Sequence, residues 1–471
     1  MTGYRAIARR IEGEIRNRAL PPGARVVSVR SLAAREGVST PTAQAALRVL
    51  EADGVIVARP RSGWYVAERP PACLEAAPVP VRASKVTTSD VARELFSLRG
   101  QQLAPFGASV PQASWLPDKD LSQALTLTLR RLGPKAHLYS YPPGDPHLRA
   151  RLAARLASRG AMVAADDLIV TSGATQAVEL ALRATTRPGE VVGVESPCYF
   201  GTLLLLERLG LRALELPTHP AAGLDLERAA AIVGRLKPAA VIASAVLQNP
   251  TGGLMPLPAR RELVGLLAAM GVPLIEDDTY GELAGGGEPP FKAFDVNGSV
   301  LYCSSASKTL APGWRVGWIA AGRYQDAVLN LRVGQSLAGG RLTEASLATY
   351  LAGGAYDRHL ARLRERLRAS SQAAIGRIAR SFPAGTRLGE SRGGCVLWVE
   401  LPPGADAIRI MRRAAASGIA VAPGPAFSPA GGFQRFLRLN IANDFSPKLL
   451  AALDRLGSIC SEVGVTAPAS A

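Results

Sequence analysis

One lysine stands among small hydroxyl residues in segment 304–317, which reads Ser-Ser-Ala-Ser-Lys-Thr-Leu-Ala-Pro-Gly-Trp-Arg-Val-Gly. The amine of Lys308 can form a Schiff base with an aldehyde. The hydroxyls of Ser305 and Ser307 and the guanidinium of Arg315 can bind a phosphate through charge-assisted hydrogen bonds. The segment therefore suits a phosphorylated aldehyde cofactor. The alternative is a solvated lysine beside a serine-rich turn.

Short apolar runs between residues 168 and 319 alternate with stretches of helical character. Runs that are polar on neither face suit strands buried on both sides, so they predict a mainly parallel sheet in an α/β domain. The runs are Leu168–Val170, Val191–Val194, Ala240–Ala243, Val272–Ile275 and Val300–Tyr302. Ligands of such sheets bind outside the carboxyl ends of the strands.

Candidate ligand-binding residues follow three of these runs. After the first run, Gly173, Ala174 and Thr175 lead into a helix whose first N–H groups favour an anion. After the second, Tyr199 can stack on a pyridine ring, although an ordinary core tyrosine is the alternative. After the third, Asn249 offers an amide to the phenolic oxygen of such a ring.

A carboxylate and a phenol, Asp277 and Tyr280, follow the fourth run. A carboxylate paired with a pyridine nitrogen keeps that nitrogen protonated, and the ring is then a better electron sink. The neighbouring Asp278 is interpreted as a supporting or solvent-facing residue.

Taken together, these segments resemble the fold type I enzymes that use pyridoxal 5′-phosphate (PLP). The resemblance implies an aminotransferase-like domain with a mainly parallel central sheet, helices on both faces and a smaller C-terminal α/β subdomain. It implies that Lys308 is the catalytic residue and carries PLP, and that Asp277 meets the ring nitrogen. It also implies that Tyr139 reaches the phosphate of the partner subunit in a homodimer, and that Arg438 holds the carboxylate of a substrate or effector.

The first 70 residues are the most basic part of the chain. Their 12 basic and 6 acidic residues give +6 of the total formal charge of +17, which leaves +11 for the other 401 residues. Apolar spacing predicts a helix from Tyr4 to about Ile15, a second over Val29–Arg35, and a third with Thr40 as its N-cap. A hairpin with a basic tip follows, so the pattern predicts a winged helix-turn-helix. The alternative is a small helical dimerisation domain, or a helix-turn-helix that no longer binds DNA.

This N-terminal segment resembles the GntR family over its whole length, through its Leu-Pro-Pro-Gly turn, Ser-Val-Arg-Ser-Leu-Ala run, Gly-Val-Ser and Ser-Gly-Trp-Tyr-Val ending. The resemblance implies contacts to double-stranded DNA from six residues: Arg30, Thr42, Gln44, Arg61, and, near the phosphates, Ser39 and Thr40. The chain departs from the two families at Thr40, where an arginine is frequent, and at Ala306, where an aromatic residue is usual.

The combination resembles the MocR (GabR-like) branch of GntR regulators. We expect a winged helix over 1–67, a linker over 68–100, the aminotransferase-like domain over 101–463 and a flexible tail over 464–471. The resemblance implies a homodimeric transcription regulator that binds paired half-sites and senses PLP or an amino compound. The alternative is a working aminotransferase that acts on an amino acid and retains a vestigial DNA-binding segment.

Composition limits the cellular setting. The five cysteines are widely scattered and form neither a paired framework nor a metal-ligand spacing, which predicts a reducing cytoplasm. No apolar run reaches the roughly 18 to 20 residues that a membrane span needs.

Overall fold

The computed structural model describes residues 3–16, 20, 24–52, 55–59, 62–66, 74–77, 79, 82–86, 89–97 and 104–465. The N-terminal elements are α1 (Tyr4–Arg16), α2 (Val29–Glu36), α3 (Thr40–Ala52), β1 (Ile56–Arg59) and β2 (Gly63–Val66). The three helices share a core in which Ile11, Leu32 and Leu47 are fully buried, and β1 pairs antiparallel with β2. The predicted winged helix-turn-helix is confirmed. Arg61, at the predicted basic tip, lies outside the described residues.

Short polar side chains cap two of these helices. The Ser28 hydroxyl accepts the N–H of Ser31 at 3.1 Å and caps α2. The Ser39 hydroxyl accepts the N–H of Thr42 at 3.4 Å, while Thr40 is already the first helical residue of α3. The predicted cap at Thr40 is therefore wrong by one residue, because two residues able to cap stand side by side here and serine is the better N-cap.

Two further elements precede the large domain, β3 (Ala83–Lys85) and α4 (Ser89–Ser97). The helices that follow are α5 (Asp118–Leu132), α6 (Pro146–Ser158), α7 (Ala174–Thr185), α8 (Phe200–Arg208), α9 (Leu226–Leu236), α10 (Leu257–Ala269), α11 (Gln325–Gln335), α12 (Arg341–Leu351), α13 (Ala355–Ser381), α14 (Ala407–Ala416) and α15 (Pro447–Val465).

The strands of this part are β4 (Ala104–Pro105), β5 (Tyr139–Ser140), β6 (Leu168–Thr171), β7 (Val191–Ser196), β8 (Arg212–His219), β9 (Gly223–Leu224), β10 (Ala240–Ala243), β11 (Leu274–Asp277), β12 (Val300–Ser305), β13 (Gly317–Ala320), β14 (Gly339–Gly340), β15 (Arg387–Leu388), β16 (Val396–Glu400), β17 (Ile419–Ala420), β18 (Ala422–Pro423) and β19 (Phe436–Asn440).

The central sheet has the order β3-β8-β7-β10-β11-β12-β13-β6. Strands β8, β7, β10, β11 and β12 run parallel, β6 runs in the same direction, and β13 and β3 are antiparallel to their neighbours. Residues of both faces are buried, with Val241 and Leu274 packing toward α9 and α10 and Ile242 and Ile275 toward α7 and α8. The predicted α/β fold class is confirmed.

The segment 68–100 does more than join two domains. Its strand β3 adds to the edge of the central sheet beside β8, and Ala92 and Leu95 of α4 are buried against Phe200 and Trp398. The linker predicted over 68–100 therefore contains two ordered elements, β3 and α4. A three-residue strand and a nine-residue helix are too short to show a clear apolar period, and their order comes from tertiary packing.

The C-terminal subdomain is a small sheet of order β15-β16-β19-β18 covered by α13, α14 and α15. Strand β19 carries Arg438 with its side chain fully buried. None of the described helices is long and apolar enough to cross a bilayer.

The N-terminal core gives a direct test of its packing. Leu47→Ala should lower the opening free energy of α3 by about 2–5 kcal/mol, because it removes a fully buried side chain and leaves a cavity. Hydrogen exchange of the α3 amides, read by mass spectrometry on the intact chain, measures this loss. The neighbouring exposed Arg48→Ala is the control and should change protection by less than about 0.5 kcal/mol. Equal protection in the two variants would contradict the packing.

Candidate cofactor site and nucleic-acid interface

The candidate site lies where neighbouring parallel strands end. Asp277 is the last residue of β11 and is paired in register with Cys303 of β12. Lys308 follows in the turn after β12, half-buried, with its Nζ 5.6 Å from the centroid of the Tyr280 ring. The fold thus brings the predicted lysine, carboxylate and phenol together.

Asp277 is a largely buried carboxylate that makes no salt bridge within the described part of the chain. Its Oδ1 accepts the Thr279 N–H at 3.1 Å and the Thr279 hydroxyl. Burial raises the pKa of Asp277, whereas the Thr279 hydrogen bonds and the nearby Lys308 amine lower it. Such a group is suited to a cationic partner, and a protonated pyridine nitrogen is one.

The adjacent Asp278 serves a different purpose. Its carboxylate is sealed from solvent, forms an ion pair with Arg159 and accepts the Tyr302 hydroxyl at 2.7 Å. The interpretation of Asp278 as solvent-facing is wrong, while a supporting role agrees with these contacts. Its arginine partner lies 119 residues earlier in the chain, and no local pattern joins the two.

The predicted phosphate-binding residues form a cradle. Gly173 precedes α7 with φ of 99°, and a Cβ there would overlap the Arg315 guanidinium, so this position requires glycine. Arg315 itself has φ of 54°, and its Nη2 donates to Ser172 O at 2.8 Å while its Nη1 reaches Ser307 Oγ at 3.5 Å. The helix start with Ala174 and Thr175, the guanidinium and the serine hydroxyls thus surround one small volume. This donor set fits a phosphate.

Ser305 closes the same turn, since its hydroxyl accepts the N–H of Ser307 at 3.4 Å. Ala306 lies between the two serines, buried, with its N–H donated to Val316 O at 3.0 Å. A backbone hydrogen bond thus fixes Ala306, the residue that departs from the family pattern.

Asn249 and Arg438 meet on the opposite side of the site. The Nη1 of Arg438 donates to Asn249 Oδ1 at 3.3 Å, and its Nη2 donates to Gly107 O at 2.6 Å and Ala108 O at 3.0 Å. The guanidinium carbon lies 5.2 Å from the Phe427 ring centroid. A ligand carboxylate that approaches Arg438 must therefore compete with two backbone carbonyls.

Residues 107–109 belong to the site, and sequence reasoning missed them. Besides the two carbonyls that hold Arg438, the Ser109 carbonyl accepts the Tyr280 hydroxyl at 3.1 Å. Burial raises the pKa of Tyr280, so the phenol stays protonated as this bond requires. Their contributions are backbone oxygens, which leave no mark in the side-chain sequence.

A second missed residue is Glu195, near the end of β7. It is buried, its Oε2 accepts the Ser244 N–H at 3.1 Å, and Gln248 hydrogen-bonds to it as well. Burial raises the pKa of Glu195 to about 8, and the negative charge of Asp277 acts in the same direction. A single glutamate in an apolar strand gave no signal that it would face Asp277.

The two remaining candidate tyrosines, Tyr199 and Tyr139, differ in their packing and exposure. Tyr199 is the residue before α8 and packs on Phe200 with ring centroids 4.8 Å apart. Tyr139, in β5, is 61% exposed, and its ring centroid lies 5.7 Å from that of Tyr141. The assignment of Tyr139 to a partner's phosphate stays a prediction.

The candidate DNA-contacting residues lie on the winged helix. Arg30 is exposed on α2, and Ser39, Thr42 and Gln44 lie at the start of α3, with a 2.8 Å bond between the Ser39 and Thr42 hydroxyls. The exposed Arg25 was not singled out from the sequence, although it bridges to Tyr65 at the base of the wing. Their contacts to DNA remain predictions.

Comparisons with known proteins agree with this geometry. Residues 113–456 match the model of the class I and II aminotransferases, and residues 3–66 match that of the gntR family of bacterial regulatory proteins. The uncharacterized HTH-type transcriptional regulator YdcR of Escherichia coli is 34% identical, with 98% of this chain and 100% of that protein covered. The 2-aminoadipate transaminase of Thermus thermophilus is 30% identical over 80% of this chain and 94% of that protein. The crystal structure of LysN, the alpha-aminoadipate aminotransferase of Thermus thermophilus complexed with N-(5′-phosphopyridoxyl)-L-leucine, superposes with a TM-score of 0.74 at 29% identity, covering 80% of this chain and 96% of that one.

The large domain thus has the fold type I architecture of an aminotransferase. The chain belongs to the class I and II aminotransferase family, and it carries that domain fused to a GntR-type DNA-binding domain, which is the MocR-like architecture of its HTH-type regulator relatives.

Glu195 makes the stability of the protein depend on pH. Because its pKa is about 8 in the folded chain and near 4.5 when unfolded, folding binds a proton, and this contribution is lost as pH rises from about 4.5 to about 8. The parent chain should lose unfolding free energy between pH 6 and 8.5, and Glu195→Gln should reduce that loss by about 2.5 kcal/mol. Denaturant titrations of the cofactor-free protein at the two pH values measure this difference. Part of the loss should remain, since burial also raises the pKa of Glu276 to about 8.

The exposed Glu262→Gln is the matched control and should leave the pH dependence as it is in the parent chain. If Glu195→Gln and Glu262→Gln lost the same free energy of unfolding between pH 6 and 8.5, the raised pKa of Glu195 would be refuted.

Proposed function

We propose that this protein is a PLP-dependent transcription regulator, in which the aminotransferase-like domain carries PLP on Lys308 and senses an amino compound or PLP itself. The observation that carries the proposal is the convergence of Lys308, Asp277 and the Arg315 cradle in a chain that begins with a GntR-type domain. The free cysteines, all buried where the structure describes them, agree with a cytoplasmic location.

The residues present fit PLP by the chemistry of their donors. Arg315, Ser305, Ser307 and the start of α7 would hold the phosphate, and Asp277 would hold the protonated ring nitrogen. Tyr199 would stack on the ring, while Asn249 and Tyr280 would hydrogen-bond to its phenolic oxygen. When bound, the cofactor supplies an aldehyde for amines and an electron sink. The protein supplies binding, orientation and a fixed proton on Tyr280.

Recognition of an effector would centre on Arg438. A carboxylate that forms a bidentate pair with this guanidinium replaces its bonds to Gly107 O and Ala108 O. Those carbonyls lie directly after β4, near the point where the linker enters the large domain. An effector that competes for Arg438 would therefore act on the segment that leads back to the winged helix.

A homodimer is part of the proposal. Large apolar side chains are exposed on α5, on residues 138–141 and on and after α11, namely Leu127, Leu129, Leu138, Tyr139, Tyr141, Val333 and Leu337. Strand β5, which bears Tyr139, pairs with β14, which follows Leu337. Apolar surface of this kind marks a protein interface, and two winged helices in a dimer predict paired half-sites.

The cofactor assignment is tested by trapping. Borohydride reduction of the purified protein with PLP should give a stable adduct on Lys308, because reduction fixes an imine as a secondary amine. Peptide mass spectrometry locates the adduct, and Lys308→Ala should carry none at that peptide. Lys292→Ala is the matched control and should keep the adduct, because Lys292 is held by Asp295 and Val300 O. An adduct spread over surface lysines alone would refute the assignment.

A second candidate function is aminotransferase turnover. The specific observation is that Lys308, Asp277 and Arg438 stand together in a domain 30% identical to the 2-aminoadipate transaminase of Thermus thermophilus. Sustained keto-acid production without binding to the protein's own promoter DNA would favour this function over regulation.

DNA binding is tested with the promoter region of the protein's own gene. Affinity measured by fluorescence anisotropy should fall linearly with salt on logarithmic axes, because phosphate contacts release counterions. Gln44→Ala should weaken binding to the operator by about 1–3 kcal/mol, the range for one bidentate base contact, and should affect unrelated DNA less. Glu262→Gln serves as the unaffected control. An affinity that does not change with salt would rule out this DNA interface.

A further inference from the structure

A cavity of about 600 Å³ lies apart from the Lys308 site, between the central sheet and the C-terminal subdomain. Ser196 and Glu215 of the sheet line it on one side, and Ser428 and the loop up to Phe436 line it on the other. Ala77, from the segment that joins the winged helix to the large domain, also borders it. We name it the Glu215 cavity. Its volume falls within the range of roughly 300 to 1,000 Å³ typical of small-molecule sites.

Glu215 supplies the charge of this cavity. The residue is 4% exposed, and its Oε1 accepts the Ser196 hydroxyl at 2.6 Å and the Ser428 hydroxyl at 3.3 Å. Its Oε2 accepts no hydrogen bond from the residues that the structure describes and is not sealed from solvent, so it faces the cavity. Two hydroxyls from separate subdomains thus orient one oxygen and leave the other for a ligand.

This carboxylate has no cationic partner within the described residues. The cationic residue in the described lining, Arg435, is held by Glu400, to which its Nε donates at 3.1 Å. Burial raises the pKa of Glu215, which is the response of a carboxyl group that lacks a counter-ion. A cation that entered the cavity would remove this cost.

The rest of the lining is mostly apolar. Phe433 and Phe436 belong to an aromatic cluster with Trp398, whose ring is stacked on Phe436 at 5.3 Å between centroids. A ligand for this space therefore combines one charged group with an apolar body.

We propose that the Glu215 cavity is a second ligand site, which binds a small organic amine through an ion pair between its ammonium group and Glu215, with the apolar part of the ligand against Phe433 and Phe436. The lining of this cavity does not include Lys308, so binding there requires no reaction with the cofactor. Leu74 packs on the same aromatic cluster and Ala77 borders the cavity, so a bound amine touches the segment that leads to the winged helix.

The probe is N,N-dimethylbenzylamine, tested on the full-length protein with its cofactor. A tertiary amine cannot form a stable imine with an aldehyde, so its binding is separable from chemistry at Lys308. Calorimetric titration should show saturable binding at least about tenfold tighter than that of benzyl alcohol, which keeps the ring and lacks the charge. Glu215→Gln should remove this preference, and the exposed Glu262→Gln should keep it.

A second variant tests the same cavity in case Glu215→Gln does not fold. Ala430 is exposed and lines the cavity, so Ala430→Trp should fill the space without disturbing buried packing and should abolish binding of the probe. Borohydride trapping at Lys308 should be unchanged in both variants, which separates this site from the cofactor site. The proposal is overturned if the amine binds no better than the alcohol, if it fails to saturate below about 10 mM, or if Glu215→Gln and Ala430→Trp bind it as the parent chain does.

Discussion

The candidate site depends on how two adjacent carboxylates at the end of β11 are separated. Successive side chains of a strand point to opposite faces, so Asp277 and Asp278 cannot serve the same partner. Asp278 is neutralised on one side by Arg159 and by the Tyr302 hydroxyl. Because that buried pair fixes the end of the strand, Asp277 is held near the Lys308 amine and makes no salt bridge with the residues that the structure describes. Two neighbouring negative charges in a core are costly unless one is paired, and the fold pairs the one that faces away from the site.

The sequence predicted the parts of the fold that carry continuous apolar runs. Strands β7, β10 and β12 were predicted because each contains a run of consecutive apolar residues. Strand β8 was missed because Arg212, Glu215 and Pro217 interrupt its run. Glu215 is tolerated there only because Ser196 and Ser428 donate to it from distant parts of the chain. A short glycine-containing strand such as β13 gives no period to read.

The same limit applies to the site. Lys308, Asp277 and Arg315 could be predicted because their chemistry requires those residue types at recognisable spacings. The carbonyls of residues 107–109 could not be predicted, because every residue has a carbonyl group. Whether these carbonyls reach Arg438 and Tyr280 depends on where β4 pairs with β17. The Asp278 partner Arg159 and the buried Glu195 were missed for a related reason, since each matters only through a contact made by tertiary folding.

A regulator must convert occupancy of a site into a change at DNA, and this requires an element that both sites bias. The described residues offer one in the aromatic cluster around Trp398. On one side Phe427 and Phe200 lie under the Arg438 guanidinium, and on another Leu74 packs against the cluster. A ligand carboxylate at Arg438 would break the hydrogen bonds from Arg438 to the carbonyls of residues 107 and 108. A change in the aromatic packing would reach the segment before β3 directly.

Shifting a two-state conformational equilibrium from 1:99 to 99:1 needs about 10⁴-fold differential affinity for the two states. Contacts made in only one state must therefore supply about 5.5 kcal/mol. One charge-assisted pair with Arg438 is worth roughly 1.5–3 kcal/mol. Under the proposed function, an effector would therefore also have to gain from covalent chemistry at Lys308, from a second subunit, or from a second ligand that acts on the same cluster.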